Sequence, residues 1–175
     1  MQPDLNSLKN KLQANRDFIT RIAIGIPGFK GYIEKAENYD ADSMIRAFIS
    51  DKISTAKKTL AMLSGDLSRE AELSALPELD SLGNVLEGLF KKVQYAEYGA
   101  SGPFSKLKIT EEDQNRLLEF DWRLIAQFDE VLTLATGLQT LRSDALKSAL
   151  KSVKTRILEF EKTFDERKYV IMEVI

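Results

Sequence analysis

The chain has 175 residues, 43% hydrophobic and 30% charged, with 25 Lys and Arg against 27 Asp and Glu and a formal net charge of −2. That length suits a single domain, residues 1–175, with a substantial core, and the near-balance of charge lacks the basic excess of a dedicated nucleic-acid binder. There is no cysteine and no histidine, which excludes disulfides, thiolate metal sites and cysteine nucleophiles, and with them the commonest general base and metal ligand. Zinc and di-iron sites of the usual kinds go too, so no metal and no cofactor is expected, and any catalysis would rest on Asp, Glu, Lys, Arg, Tyr or Ser.

The N-terminal "MQPDLNSLKNKLQ" is polar and shows no signal-peptide pattern. Leu5, Leu8, Leu12, Ile19, Ile22 and Ile26 follow helical spacing and predict a short first helix over 4–25. The most apolar run, "IAIGIPGF" from Ile22 to Phe29, is too short and too broken by Pro27 to span a bilayer. Membrane contact through it would require its apolar side chains to be exposed, and burial in a core is the favoured reading. A cytoplasmic protein is expected. Residues 1–31 carry five cations against two carboxylates, a surplus of +3, whereas residues 67–104 carry three against six, an asymmetry that bears on packing or partner choice.

"GIPGFKG" then ends the first helix, because Pro27 removes a donor and glycine supplies turn geometry. Ile49, Ile53, Ala56, Leu60, Leu63 and Leu67 mark a second helix, placed at 31–64, with "SGD" (Ser64 to Asp66) as a tight hairpin turn. Leu79, Leu82, Leu86, Leu89, Val93 and Ala96 mark a third over 67–97, with Pro77 inside it as a kink. "YGASGP" closes that helix, and Thr110 opens the next with the capping-box signature "TEED". Leu124, Phe128, Val131, Ala135 and Leu138 predict a helix over 110–141. Leu146, Leu150, Val153, Ile157, Phe160 and Phe164 predict a last one over 144–170; "RSDA" allows a break capped by Ser143 before it, although the pattern can also run through. Four helices of about 30 residues, roughly 45 Å each, joined by short turns, favour antiparallel neighbours. The fold class expected is all-α: an antiparallel up-down bundle of four long helices plus a shorter N-terminal helix, with coiled-coil-like seams.

Few motifs carry chemistry. "YGASGPFSK" places Gly99 and Gly102 three apart, with Pro103 next and no strand before. It fails the spacing and context of a phosphate-binding P-loop. In "YDADSM", Asp40 and Asp42 are spaced like calcium-loop ligands, but Met44 and Ile45 occupy positions that demand an oxygen ligand and glycine. Carboxylate pairs at Glu111 and Glu112, Asp129 and Glu130, and Glu159 and Glu161 come with no histidine, and a solvated helix face accounts for most of them. Asp121 differs, because Leu117, Leu124 and Phe128 share its side of the helix. A buried carboxylate is costly unless paired, so an Arg or Lys from a neighbouring helix is expected against it. Phe120 and Trp122 flank it at positions that cannot all face one core, and one of the two is expected to be exposed. Tyr32, Tyr39, Tyr95, Tyr98 and Phe104 cluster near the Gly/Pro connections, where capping the bundle end is their plain role.

If the helices alternate in direction, "GIPGFKGY" and "YGASGPF" meet at one pole, and a break at Ser143 brings the C-terminal segment there too. These segments also carry a resemblance. "PGFKGYIEKAENYDADSMIRAFI" and "YGASGPFSKLKITEEDQNRLLEFD" resemble a group of uncharacterised prokaryotic helical proteins with a Pro-Gly-aromatic-x-Gly-Tyr segment, an Asp and an Arg a few turns on, then Tyr-Gly-x-x-Gly-x-Phe and a closing Phe-Asp. The matching residues are Pro27, Gly28, Phe29, Gly31, Tyr32, Asp42, Arg46, Tyr98, Gly99, Gly102, Phe104, Phe120 and Asp121. Pro103 sits inside the second segment, and Ser105 stands where the group has Asp. The resemblance implies no activity. The leading expectation is therefore a non-catalytic bundle that binds another protein or itself. The alternative is a ligand-binding or enzymatic site at the Gly/Pro-rich pole, with Asp42, Arg46, Tyr98, Gly99, Gly102 and Asp121 as its groups.

Overall fold

The computed structural model describes residues 38–96 and 111–174. Every regular element among them is helical: α1 (Asn38–Arg69), a 3₁₀ turn (Leu73–Ala75), α2 (Leu76–Gln94), α3 (Glu111–Gly137), a second 3₁₀ turn (Leu138–Thr140) and α4 (Ser143–Val174). The first predicted helix, over 4–25, and the Gly28, Gly102 and Thr110 positions lie outside the described residues.

Each predicted stripe from α1 to α4 is buried, apart from Ala96, which is half-buried. Ile45, Ile49, Ile53, Ala56, Leu60, Leu63 and Leu67 line α1, and five residues from Leu79 to Val93 line α2. In the α3/α4 half, Phe128 meets Phe160 edge-on at 5.0 Å between centroids, and Phe160 stacks on Phe164 at 6.4 Å, geometries that suit the ring quadrupoles.

Polar pairs across the seams give the directions. α1 pairs with α2 in antiparallel sense, Arg46 reaching Gln94 and Lys57 reaching Glu87. α3 and α4 are also antiparallel, through Asp121 with Arg167 and Phe128 with Phe160. The two hairpins lie side by side with like-directed helices in contact. α1 packs on α3 through Lys52 with Asp129, and on the 3₁₀ turn that follows α3 through Thr59 with Gln139; α2 packs on α4 through Ser81 with Lys154 and Lys92 with Asp165. Sequence-consecutive α2 and α3 are therefore not principal packing neighbours, contrary to the expectation of antiparallel neighbours throughout.

Two boundaries differ from the sequence reading. α1 runs through Gly65 to Arg69, so "SGD" is not a turn. Its end lies four residues further on: Glu72 N–H donates to Leu67 O at 2.9 Å and Ala71 N–H to Ser68 O at 3.4 Å. This is a Schellman ending, with Ala71 in the left-handed region at φ 59°. Pro77 falls at the first or second position of α2, where its missing N–H would have no helical partner anyway, so it starts a helix and kinks none. As a result α2 has 19 residues, not the roughly 30 expected. The break before α4 is real: Leu141 is extended, and Ser143 has φ 53°.

One pole gathers the start of α1, the end of α2, the start of α3 and the end of α4. The opposite pole holds the two hairpin turns, where Arg142 Nε donates to Glu70 at 2.7 Å and Nη2 to the other carboxylate oxygen at 3.0 Å. This fork holds Glu70 below the ordinary carboxylate value of 4.5 and raises Arg142.

Candidate functional site

The sequence-predicted residues that the structure describes sit on the half of the bundle toward the first pole. Asp121 is carried by α3 on the stripe of Leu124 and Phe128, and its side chain is 0% exposed. Arg167, also 0% exposed, comes from the antiparallel α4. Its Nε donates to Asp121 Oδ1 at 2.6 Å and its Nη2 to Oδ2 at 2.8 Å. A planar fork against a planar carboxylate is the geometry in which a buried pair offsets its desolvation. The expected cation partner for Asp121 is thus present. Phe120 and Trp122 both pack half-buried against the core, so neither is the exposed aromatic expected.

Arg46 is half-buried on α1, and its Nη1 donates to the carbonyl of Gln94, the last residue of α2, at 3.0 Å. Carbonyls in the last turn of a helix have no helical donor and carry its negative end, so Arg46 caps α2 from the neighbouring helix. Ser50, one turn along α1, is buried with its hydroxyl unpartnered. Asp42 lies within α1, but its side chain is outside the described residues, as are Tyr98, Gly99 and Gly102. Tyr95 is 71% exposed, which corrects its expected role as part of a closed aromatic cap.

Three of the six paired carboxylates singled out in the sequence have structural partners. Asp129 bonds Lys52, Glu159 bonds Arg156, and Glu161 and Asp165 both accept from Lys92, at 2.9 and 2.7 Å. Partial burial pulls the Lys92 ammonium down, but the hydrogen bonds to Asp165 and Glu161 outweigh it and leave Lys92 above its ordinary 10.5. Lys57 and Lys91 together hold Glu87 low. Among the described residues no cluster of three or more Asp or Glu side chains forms a metal site, and no helix is long and apolar enough to cross a membrane.

Sequence reasoning missed Arg167 as the partner of Asp121, although the signal was there. Ile157, Phe160, Phe164 and Arg167 step 3, 4, 3, so the cation occupies a seam position just as Asp121 does. Two shallow grooves lie among the described residues. One, of about 670 Å³, runs between α1 and α2 beside Ala61, Ser64, Gly65 and Gly83. The other, of about 310 Å³, lies between α2 and α4 over Pro77, Leu82 and Leu150. No protein-family model, curated protein or solved structure matches the chain.

Proposed function

We propose that this chain is a non-catalytic helical bundle that works by binding another protein, as a scaffold or adaptor. The observation that carries the reading is where the polar groups go. The candidate groups that the structure describes, Asp121 and Arg46, are engaged in holding helices together: Asp121 by Arg167 at 2.6 Å and Arg46 on the last carbonyl of α2 at 3.0 Å. Outside these contacts the surface offers long helical ridges and open grooves, a shape that receives another helix more readily than a small molecule. The whole chain is read as an antiparallel up-down bundle with a shorter first helix over 4–25. The alternating directions of α1 to α4 support that reading, which takes the protein to be cytoplasmic.

Size-exclusion chromatography with light scattering on the full chain, together with affinity capture from the native host, tests the proposal. A stable self-assembly or a stoichiometric partner is expected. A strict monomer that recovers no partner would count against it.

A further inference from the structure

We infer that the groove between α2 and α4 is a docking surface for an acidic amphipathic helix of a partner protein. The inference rests on the binding-protein reading above and names the surface and the chemistry of the partner.

Most cations in the described residues are neutralised within the bundle. Lys52, Lys57, Lys91, Lys92, Arg69, Arg123, Arg142, Arg156 and Arg167 all lie within ion-pair distance of a carboxylate. Six lysines are different: Lys58, Lys168 and a row of four, Lys147, Lys151, Lys154 and Lys162. None forms an ion pair among the described residues, and Lys154 reaches only the Ser81 hydroxyl, at 3.3 Å. The four share one side of α4, spaced 4, 3 and 8 residues apart, with Leu158 between the last two, 48% exposed. At 100° per residue this row spans well under a third of the helix circumference and borders the core seam on the side of α2.

The two halves of the α2/α4 seam are built differently. Toward the first pole, Lys92 bridges to Glu161 and Asp165 and closes the seam. Toward the hairpin pole α2 presents Pro77, Glu78 and Ser81; Glu78 lines the opening but forms no ion pair with α4 among the described residues, and the seam opens into the 310 Å³ groove. Leu82 and Leu150, 1% and 3% exposed, underlie the groove; exposed Pro77 adds apolar surface beside Glu78 on the α2 side, and Lys151 and Lys154 form the α4 wall. The combination of an apolar floor and unpaired ammonium groups about 4.5–6 Å apart along the axis fits a helix that brings apolar side chains on one face and carboxylates at i, i+4 and i+7 beside them. A nucleic acid or an anionic membrane would satisfy the charges but not the floor. The chain's own N-terminal residues 1–31 have a net positive charge, so they do not complement the row.

The test uses the full chain and fluorescein-labelled synthetic helices of 18 residues read by anisotropy. One probe carries Leu on one face and Glu beside it, and a second carries the same charge with Ser in place of Leu. A 20-base-pair DNA duplex and phosphatidylserine vesicles are the other probes. The Leu/Glu helix is expected to bind saturably, with a Kd on the order of 10–100 μM that weakens as NaCl rises. The Ser/Glu helix should bind about tenfold or more weakly, and Lys147→Gln/Lys151→Gln/Lys154→Gln should cost about tenfold or more. Lys58→Gln, on α1, should change nothing. Ser81→Trp, which fills the groove and leaves the charge alone, should also weaken the Leu/Glu helix.

No saturable binding, an unchanged affinity in the triple variant, or DNA or vesicles binding as tightly as the Leu/Glu helix would each overturn the inference. Capture of a host partner that survives the triple variant would remove this surface while leaving the binding-protein reading intact.

Discussion

The buried pair of Asp121 and Arg167 makes the strongest demand on the fold. Both side chains are out of water, and two charge-assisted bonds of 2.6 and 2.8 Å join them. Such bonds contribute about 1.5–3 kcal/mol each, and removing one partner of a buried pair costs about 3–5 kcal/mol because the other charge is stranded. Arg167→Met should therefore lower the unfolding free energy by about 3–5 kcal/mol, or the melting temperature by about 6–20 °C for a chain of this size. The double variant Asp121→Leu/Arg167→Met removes both charges and keeps apolar volume, so it should recover most of that loss. Urea unfolding followed by circular dichroism at 222 nm measures all four corners of the cycle, and the coupling should be at least about 2 kcal/mol. Additive single effects, or a loss below about 1 kcal/mol for Arg167→Met, would refute the claim that this pair fastens α3 to α4.

Further outcomes follow from the helix ends and the seams. Ala71 holds a left-handed conformation at φ 59° that costs a non-glycine residue about 1–2 kcal/mol, so Ala71→Gly should stabilise the chain by about 0.5–1 kcal/mol, net of glycine's entropy, in the same urea assay. Ser50→Ala should be neutral or stabilising by up to about 1 kcal/mol, because it removes a buried hydroxyl with no partner; a loss of stability would show that the hydroxyl is bonded. Lys92 is raised above 10.5 in the folded chain, so its contribution is complete below that pH and fades as pH rises through the folded value. Lys92→Met should therefore flatten the alkaline fall in stability relative to the wild type. Glu70 is held low by Arg142, so its contribution is present above pH 4.5 and fades below it. Arg142→Met should speed amide exchange at the two hairpin turns and leave the helix centres unchanged.

The parts of the fold that depend on apolar periodicity were legible in the sequence, because burial repeats with the helix. The stripes from Ile49 to Leu67 and from Leu146 to Phe164 are buried as their spacing implies. Boundaries were less legible, because a propensity for ending a helix is not the same as ending one. Gly65 is the residue type that most readily ends a helix, yet Leu63 and Leu67 on either side bury their side chains at 0% exposure, and the packing carries the helix through it. Ala71 then takes the left-handed position with no sequence signal at all, held by the bonds from Glu72 to Leu67 and from Ala71 to Ser68. Pro77 was read as a kink, because its place in a helix depends on where that helix starts. Which helices pack side by side was also out of reach: the apolar stripe of α2 is satisfied equally by α3 or α4, and the polar pairs of Lys92 with Asp165 and of Lys154 with Ser81 reveal the choice.

The candidate site raises a sharper question about polar residues on apolar stripes. Asp121 stood out because its neighbours at three and four residues are apolar, and the same rule applied to α4 isolates Arg167. A lone polar residue on a stripe is ambiguous, but an acid on one stripe and a base on another are each unfavourable alone and stable together. Matching such residues by charge before assigning either a ligand would have paired these two from the sequence. The same reasoning run in reverse draws attention to the lysines of α4. They lie beside the stripe, not on it, so burial does not require a partner for them, and no carboxylate in the described bundle supplies one. Between the two cases lies a working distinction. A charge on the seam that finds its opposite is holding the fold, as in α3 and α4. A row of charges at the edge of an open seam that finds none is where an external partner gains most.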